Sequence, residues 1–130
     1  CLPRLTEDDL DKGNFYAPTI LSGVTPEMAI YREETFGPVA PVVPYDNEAD
    51  LLAMANDTHY GLAAYVYTRD LSTAMRYFEG LNFGIIGIND INPTAAAAPF
   101  GGMKESGLGR EGATEGIFEY LDTKCGGFAI

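Results

Sequence analysis

From Val39 onward the sequence alternates short apolar runs with amphipathic stretches, and that alternation limits the fold more than any other feature. Val39 to Tyr45 is apolar, though interrupted by Pro41 and Pro44. Asp46 or Asn47 then supplies a cap for a helix whose Leu51, Leu52, Met54 and Ala55 form an apolar stripe. Leu62 to Thr68 reads as a strand through Tyr65, Val66 and Tyr67, and Asp70 caps a second helix with Leu71, Ala74, Met75 and Phe78 on its apolar face. Phe83 to Ile88 is a short apolar strand suited to burial on both faces. Strand, helix, strand, helix, strand is the order of an α/β fold, a parallel sheet with flanking helices joined by right-handed crossovers.

The flanks are less regular. Residues 1–13 mix charge, Pro3 and Gly13 without apolar periodicity, as a poorly ordered lead-in does. Phe15 to Leu21 is strand-like but carries Pro18, which removes a ladder donor and favours an edge or irregular strand. Thr25 before Pro26-Glu27-Met28 predicts a short helical turn. Asn89 to Gly112 is a long loop rich in Gly, Ala and Pro, a kind of segment that more often serves function than idles. Glu115 to Leu121 offers a last helix with Ile117, Phe118 and Leu121 apolar, and Lys124 to Ile130 an extended tail. The expected division is therefore 1–13, a body over 14–123 and a terminal strand over 124–130.

Charge narrows the partners. Eight Lys and Arg against 19 Asp and Glu leave a net charge of −11, which repels phosphate backbones and anionic lipid surfaces and argues against nucleic acid. The carboxylates are scattered rather than set at calcium-loop spacing, so no metal site is expected. No apolar run approaches the ~20 residues that cross a bilayer. Cys1 and Cys125 stand at opposite ends without a CxxC pattern, which fits a reducing, cytoplasmic setting. No secretory signal is visible, and a first residue that is Cys rather than Met is what a chain beginning inside a longer reading frame shows.

Two segments carry candidate chemistry. In Glu33-Glu34-Thr35-Phe36-Gly37-Pro38 a carboxylate and an aromatic ring share a turn that glycine permits and proline stiffens. A carboxylate suits a ribose diol and a ring packs on a flat heterocycle, but the same residues also describe a plain turn with a solvated glutamate. In Pro99-Phe100-Gly101-Gly102-Met103-Lys104-Glu105-Ser106-Gly107 the glycines let backbone wind tightly around Lys104, Ser106 and, farther on, Arg110. The segment lacks the Gly-Lys-Ser/Thr ending of a Walker loop, so glycines that serve packing explain it better in isolation. His59 is the only histidine, and no serine or cysteine stands in a nucleophile motif that would make a triad with it and Asp57.

Taken in order, Phe15-Tyr16-Ala17-Pro18-Thr19-Ile20-Leu21, Glu33 to Pro38, Asn56-Asp57-Thr58-His59-Tyr60-Gly61-Leu62, Pro99 to Gly107 and Leu108-Gly109-Arg110-Glu111-Gly112 resemble the carboxyl-terminal part of the aldehyde dehydrogenase superfamily. The resemblance covers about residues 13 to 130, whereas residues 1 to 12 match poorly. It implies part of that family's catalytic domain plus a carboxyl-terminal oligomerisation strand, over Lys124 to Ile130, pairing with a neighbouring subunit. It also implies that Glu34 hydrogen-bonds the nicotinamide ribose of NAD or NADP and that Phe36 packs beside the nicotinamide. Phe100 would line the aldehyde pocket, with the loop Ile91 to Ala98 as its outer wall.

The family oxidises aldehydes to acids through a cysteine thiolate, hydride transfer to the cofactor and a glutamate-activated water. The resemblance places that cysteine, its oxyanion-stabilising asparagine, the general base and the cofactor domain upstream of Glu34. Cys1, followed by Leu2-Pro3-Arg4, does not match the nucleophile motif. No catalytic group is therefore assigned within the chain, and the chain alone is expected to be inactive. The branch it resembles most is succinate-semialdehyde dehydrogenase, in which a hydroxyl near the position of Thr94 helps hold the distal carboxylate. Lactaldehyde and glycolaldehyde dehydrogenases are close competitors. The other expectation is a non-catalytic oligomerisation or interaction module that keeps the family fold.

Overall fold

A computed structural model describes residues 6, 8 and 12–130 and divides the chain into two compact units, residues 1–47 and 48–130. The lead-in expected over 1–13 falls mostly outside the described residues. No helix among those described is long and apolar enough to cross a membrane.

In the first unit β1 (Thr19–Ser22) and β2 (Val39–Val42) pair in parallel, with Thr19 opposite Val39 and Ser22 opposite Val42. The strand expected from Phe15 begins only at Thr19. Pro18 cannot donate to a ladder, and the first cross-strand bond is Thr19 N–H to the Pro38 carbonyl at 2.8 Å. Between the strands lies α1 (Ala29–Arg32), one turn placed just beyond the Thr25-Pro26 signal. Val24, 3% exposed, is buried in this unit, and its N–H reaches the Val42 carbonyl at 3.2 Å.

The second unit follows the expected order. α2 (Glu48–Asn56) leads to β3 (Ala63–Val66), α3 (Leu71–Gly80) and β4 (Ile85–Ile88), and β4 pairs in parallel with β3 from Ala63 opposite Ile85 to Val66 opposite Ile88. Each unit holds its own parallel pair, β1 with β2 in the first and β3 with β4 in the second. Asp70 caps α3 as read from the sequence, its carboxylate accepting from Thr73 N–H at 2.6 Å. Hydrogen bonds from Thr73, side chain first and backbone second, hold the Asp70 carboxyl below the usual carboxylate range. The buried face of α3 differs from the expected one. Ala74, Tyr77 and the following Leu81 are buried, whereas Leu71, Met75 and Phe78 are exposed.

A single asparagine ties the two helices together. Asn56 Nδ2 donates to the Gly80 carbonyl at 2.8 Å, and its Oδ1 accepts from Asn82 N–H at 2.8 Å, so the ends of α2 and α3 share one side-chain amide. Asn56→Ala removes both bonds and is expected to cost about 1–2 kcal/mol, read as a lower urea midpoint with an unchanged slope. An unchanged midpoint would show that the bridge carries no stability.

The final helix α4 (Glu115–Phe118) is shorter than expected, and the chain continues through tight turns closed by Tyr120 N–H on Ile117 and Leu121 N–H on Phe118. Ile117, Phe118 and Leu121 are all more than half exposed, so the apolar face read from the sequence is not packed within this chain. Residues 121–130 carry no strand pairing among the described residues.

Candidate functional site

The loop bearing Glu34 and Phe36 is fixed at both ends within the first unit. Glu33 closes α1 by donating its N–H to the Ala29 carbonyl at 2.8 Å. At the other end Val39 N–H turns back to the Gly37 carbonyl at 2.8 Å, and Pro38 accepts from β1. Between these anchors Glu34 and Phe36 project from a short segment with no regular structure, both exposed, the Phe36 ring at 94%. Such a carboxylate can accept two hydrogen bonds from a diol, and such a ring has a face to offer a flat partner.

In the second unit the glycine-rich segment is a closed loop. Phe100 and Glu111 exchange both backbone bonds, at 2.8 and 2.7 Å, and shut residues 101–110 into a ring. Gly61 staples that ring to the sheet: its carbonyl accepts from Gly84 N–H at 3.0 Å and Met103 N–H at 2.9 Å, while its own N–H donates to Ser106 Oγ at 2.9 Å. Lys104 Nζ reaches the Asn56 and Thr58 carbonyls at 3.2 and 3.0 Å, just past the end of α2, and lies 5.2 Å from the centre of the Phe83 ring. Arg110 Nη1 is held by the Gly102 and Gly109 carbonyls at 2.9 and 2.6 Å. The three polar side chains that could have cradled a phosphate are thus engaged with backbone, and the glycines serve packing.

Phe100 stands on the rim of this ring and, with Leu62, Arg110, Glu111, Glu119 and Tyr120, lines a cavity of about 750 Å³. Thr94 lies outside that lining, exposed on the preceding loop, where its hydroxyl donates to Asn92 Oδ1 at 2.8 Å. The loop is pinned behind it by Ala98 N–H on Ala95 and Ala113 N–H on Ala96. Glu34 and Phe36 share one loop in the first unit, whereas Thr94 and Phe100 belong to consecutive segments of the second. Sequence reading missed Asn92 as the partner of Thr94; the Asn-Pro-Thr spacing, with its turn-forming asparagine and proline, was the available signal. Cys1 lies outside the described residues, and Cys125 is a free, exposed thiol. Among the described residues no group of three or more His, Cys, Asp or Glu is placed to hold a metal ion.

Comparison with known proteins gives the same direction over nearly the whole chain. Residues 3–125 match the profile of the aldehyde dehydrogenase family, so the family pattern starts earlier than the motifs beginning near Gly13 indicate. Residues 3–12 lack the glycine and aromatic landmarks that make the later motifs legible. A succinate-semialdehyde dehydrogenase [NADP(+)] of Escherichia coli is 54% identical over 112 residues, covering 86% of this chain and 23% of that protein. A non-phosphorylating aspartate-semialdehyde dehydrogenase of Halomonas elongata is 51% identical over 111 residues, 85% of this chain and 22% of that protein. The crystal structure of a betaine aldehyde dehydrogenase from Staphylococcus aureus in complex with NAD+ superposes with a TM-score of 0.84 at 43% identity, covering 93% of this chain and 24% of that one. The chain spans about a quarter of the length of these relatives, and over that span it belongs to the aldehyde dehydrogenase family.

Proposed function

We propose that this chain supplies the nicotinamide-ribose contacts and the aldehyde-pocket wall of an NAD(P)-dependent aldehyde dehydrogenase whose substrate is a semialdehyde, succinate semialdehyde first among them. The observation that carries the reading is the Glu34-Phe36 loop, pinned at both ends yet presenting its carboxylate and ring outward. An exposed aromatic ring beside a carboxylate with no hydrogen bond to the described residues is poorly explained by folding of this chain alone. It fits the ribose and nicotinamide end of a dinucleotide.

A bound NAD(P) would supply the acceptor for the hydride of the aldehyde carbon. Glu34 would hold its ribose through the two hydroxyls, Phe36 would limit the positions open to the nicotinamide, and Phe100 would exclude water from one side of the aldehyde. Both cofactors occur among similar proteins: the E. coli relative is named for NADP(+), and the S. aureus structure contains NAD+. Neither cysteine stands in a nucleophile motif, so the chain by itself carries out no turnover. The tail 124–130, without regular structure here, would gain a ladder by pairing as a strand with a second subunit.

A chimera tests these points together. Residues 13–130 replace the matching segment of the E. coli enzyme, and NADP reduction is followed with succinate semialdehyde. Turnover within about tenfold of the parent, about 1.4 kcal/mol in the barrier, is expected, alongside none from the 130-residue chain. A folded chimera that binds NADP but oxidises no aldehyde would overturn the reading. Removing residues 125–130 should lower the chimera's mass in solution while far-UV dichroism stays the same.

A further inference from the structure

The ring of residues 101–110 places glycine where its backbone turns to positive φ, at Gly107 (143°) and Gly109 (73°), with one exception: Lys104, at 56°. That conformation is strained for a residue with a Cβ and free for glycine, so lysine holds the position at a cost its side chain must offset. The side chain leaves the ring. Its Nζ donates to the carbonyls of Asn56, the last residue of α2, and of Thr58, at 3.2 and 3.0 Å. It also sits 5.2 Å from the centre of the Phe83 ring, just ahead of β4. A cation at the carbonyl end of a helix meets the negative pole of the helix dipole, and the aromatic face adds to the attraction. Lys104 does not line the cavity, although Gly101 and Gly102 before it and Ser106 after it do, together with Phe100.

The other bonds of this turn leave the ring a pivot. Met103 N–H and Ser106 Oγ both bond Gly61, and Glu105 N–H reaches the His59 carbonyl at 3.1 Å, so these anchors fall on one short stretch about which the ring can tilt. Lys104 adds a charged anchor beyond that stretch, on the end of α2, which the Asn56 amide fixes in turn to the end of α3. We propose that Lys104 is a positioning residue for the pocket wall: by latching the glycine ring to the end of α2 it fixes the angle at which Phe100 meets the aldehyde. The proposal rests on the assignment of Phe100 to the aldehyde pocket. Lys104 acts through the ring and touches neither substrate nor cofactor. Its loss therefore bears on the aldehyde and spares the cofactor, whose contacts Glu34 and Phe36 belong to the first unit.

Three variants of the chimera described above test this. Lys104→Gln gives up the charge and shortens the reach, and should raise KM for succinate semialdehyde about fivefold while KM for NADP stays within about twofold. Lys104→Arg keeps a cation with several donors and should restore most of the loss. Lys104→Gly relieves the backbone strain while removing the latch, so its urea midpoint should match or exceed that of the parent even as its aldehyde KM follows the Gln variant. That divergence separates positioning from stability. In the 130-residue chain, Lys104→Gln should speed amide exchange over residues 101–110 and leave α3 unchanged. Unchanged exchange over the ring overturns the proposal, as does a Gly variant with the parent's aldehyde KM or a Gln variant in which both KM values rise by the same factor. The two possible failures look different. An active chimera indifferent to residue 104 removes the latch alone, whereas an unmodified chimera that oxidises no aldehyde removes the assignment of Phe100 and the proposal with it.

Discussion

Gly84→Ala is expected to destabilise the chain by about 3 kcal/mol or more, enough to remove much of the stability of a small domain. A Cβ at Gly84 would overlap the Gly101 carbonyl oxygen and stand 2.9 Å from its carbon, and both are backbone atoms that cannot rotate aside. Neither chain segment is free to withdraw. Gly84 N–H and Met103 N–H both hold the Gly61 carbonyl, one from each side of the close approach. Two other glycines serve as controls. At Gly80 the added carbon meets the Leu52 side chain, which can swing, and at Gly37 it meets nothing within 4 Å. Urea titration by far-UV dichroism should therefore rank the Ala variants Gly84 well below Gly80, and Gly80 below Gly37. Equal midpoints for Gly84→Ala and Gly37→Ala would contradict the packing of the loop on the sheet.

Glu34→Gln in the chimera is expected to lower kcat/KM for NADP by roughly 10- to 100-fold, the range for losing a charge-assisted hydrogen bond. Glutamine keeps the shape and gives up the charge, so a smaller effect would mean that the ribose is held by other groups. The same substitution in the 130-residue chain should leave its urea midpoint unchanged, because the exposed Glu34 carboxylate makes no hydrogen bond to the described residues. That contrast separates a binding role from a folding role. Loss of stability with no change in cofactor kinetics would reverse the assignment of the loop.

Local signals made parts of this fold legible. Asp70 announced α3, and the apolar run to Ile88 announced β4, because capping and strand burial are written in neighbouring residues. The pairing of strands was not written there. Pattern alone suggested parallel strands from Val39 onward; that β2 pairs with β1 and β3 with β4 is a choice made by backbone groups distant in sequence. The buried face of α3 was misjudged for a similar reason: Tyr77 was not on the expected stripe, yet it is buried while Leu71 and Phe78 are not. Among the candidate residues, Glu34, Phe36 and Phe100 stood out only through the order of several motifs. The bridging roles of Asn56 and Asn89 were not legible, since an asparagine that ties backbone twenty or more residues away looks in sequence like any loop residue.

The doubly used carbonyl of Gly61 has a consequence for motion. Because one oxygen serves both the start of β4 and the glycine ring, the ring cannot lift away without disturbing the hydrogen bonding at the end of the sheet. The wall that Phe100 contributes therefore opens only at the free-energy cost of loosening a sheet end, not at the low cost of an ordinary surface loop. A chain that needs many glycines to build a pocket wall usually gains suppleness with them; here the shared acceptor turns the same glycines into part of a rigid cooperative unit.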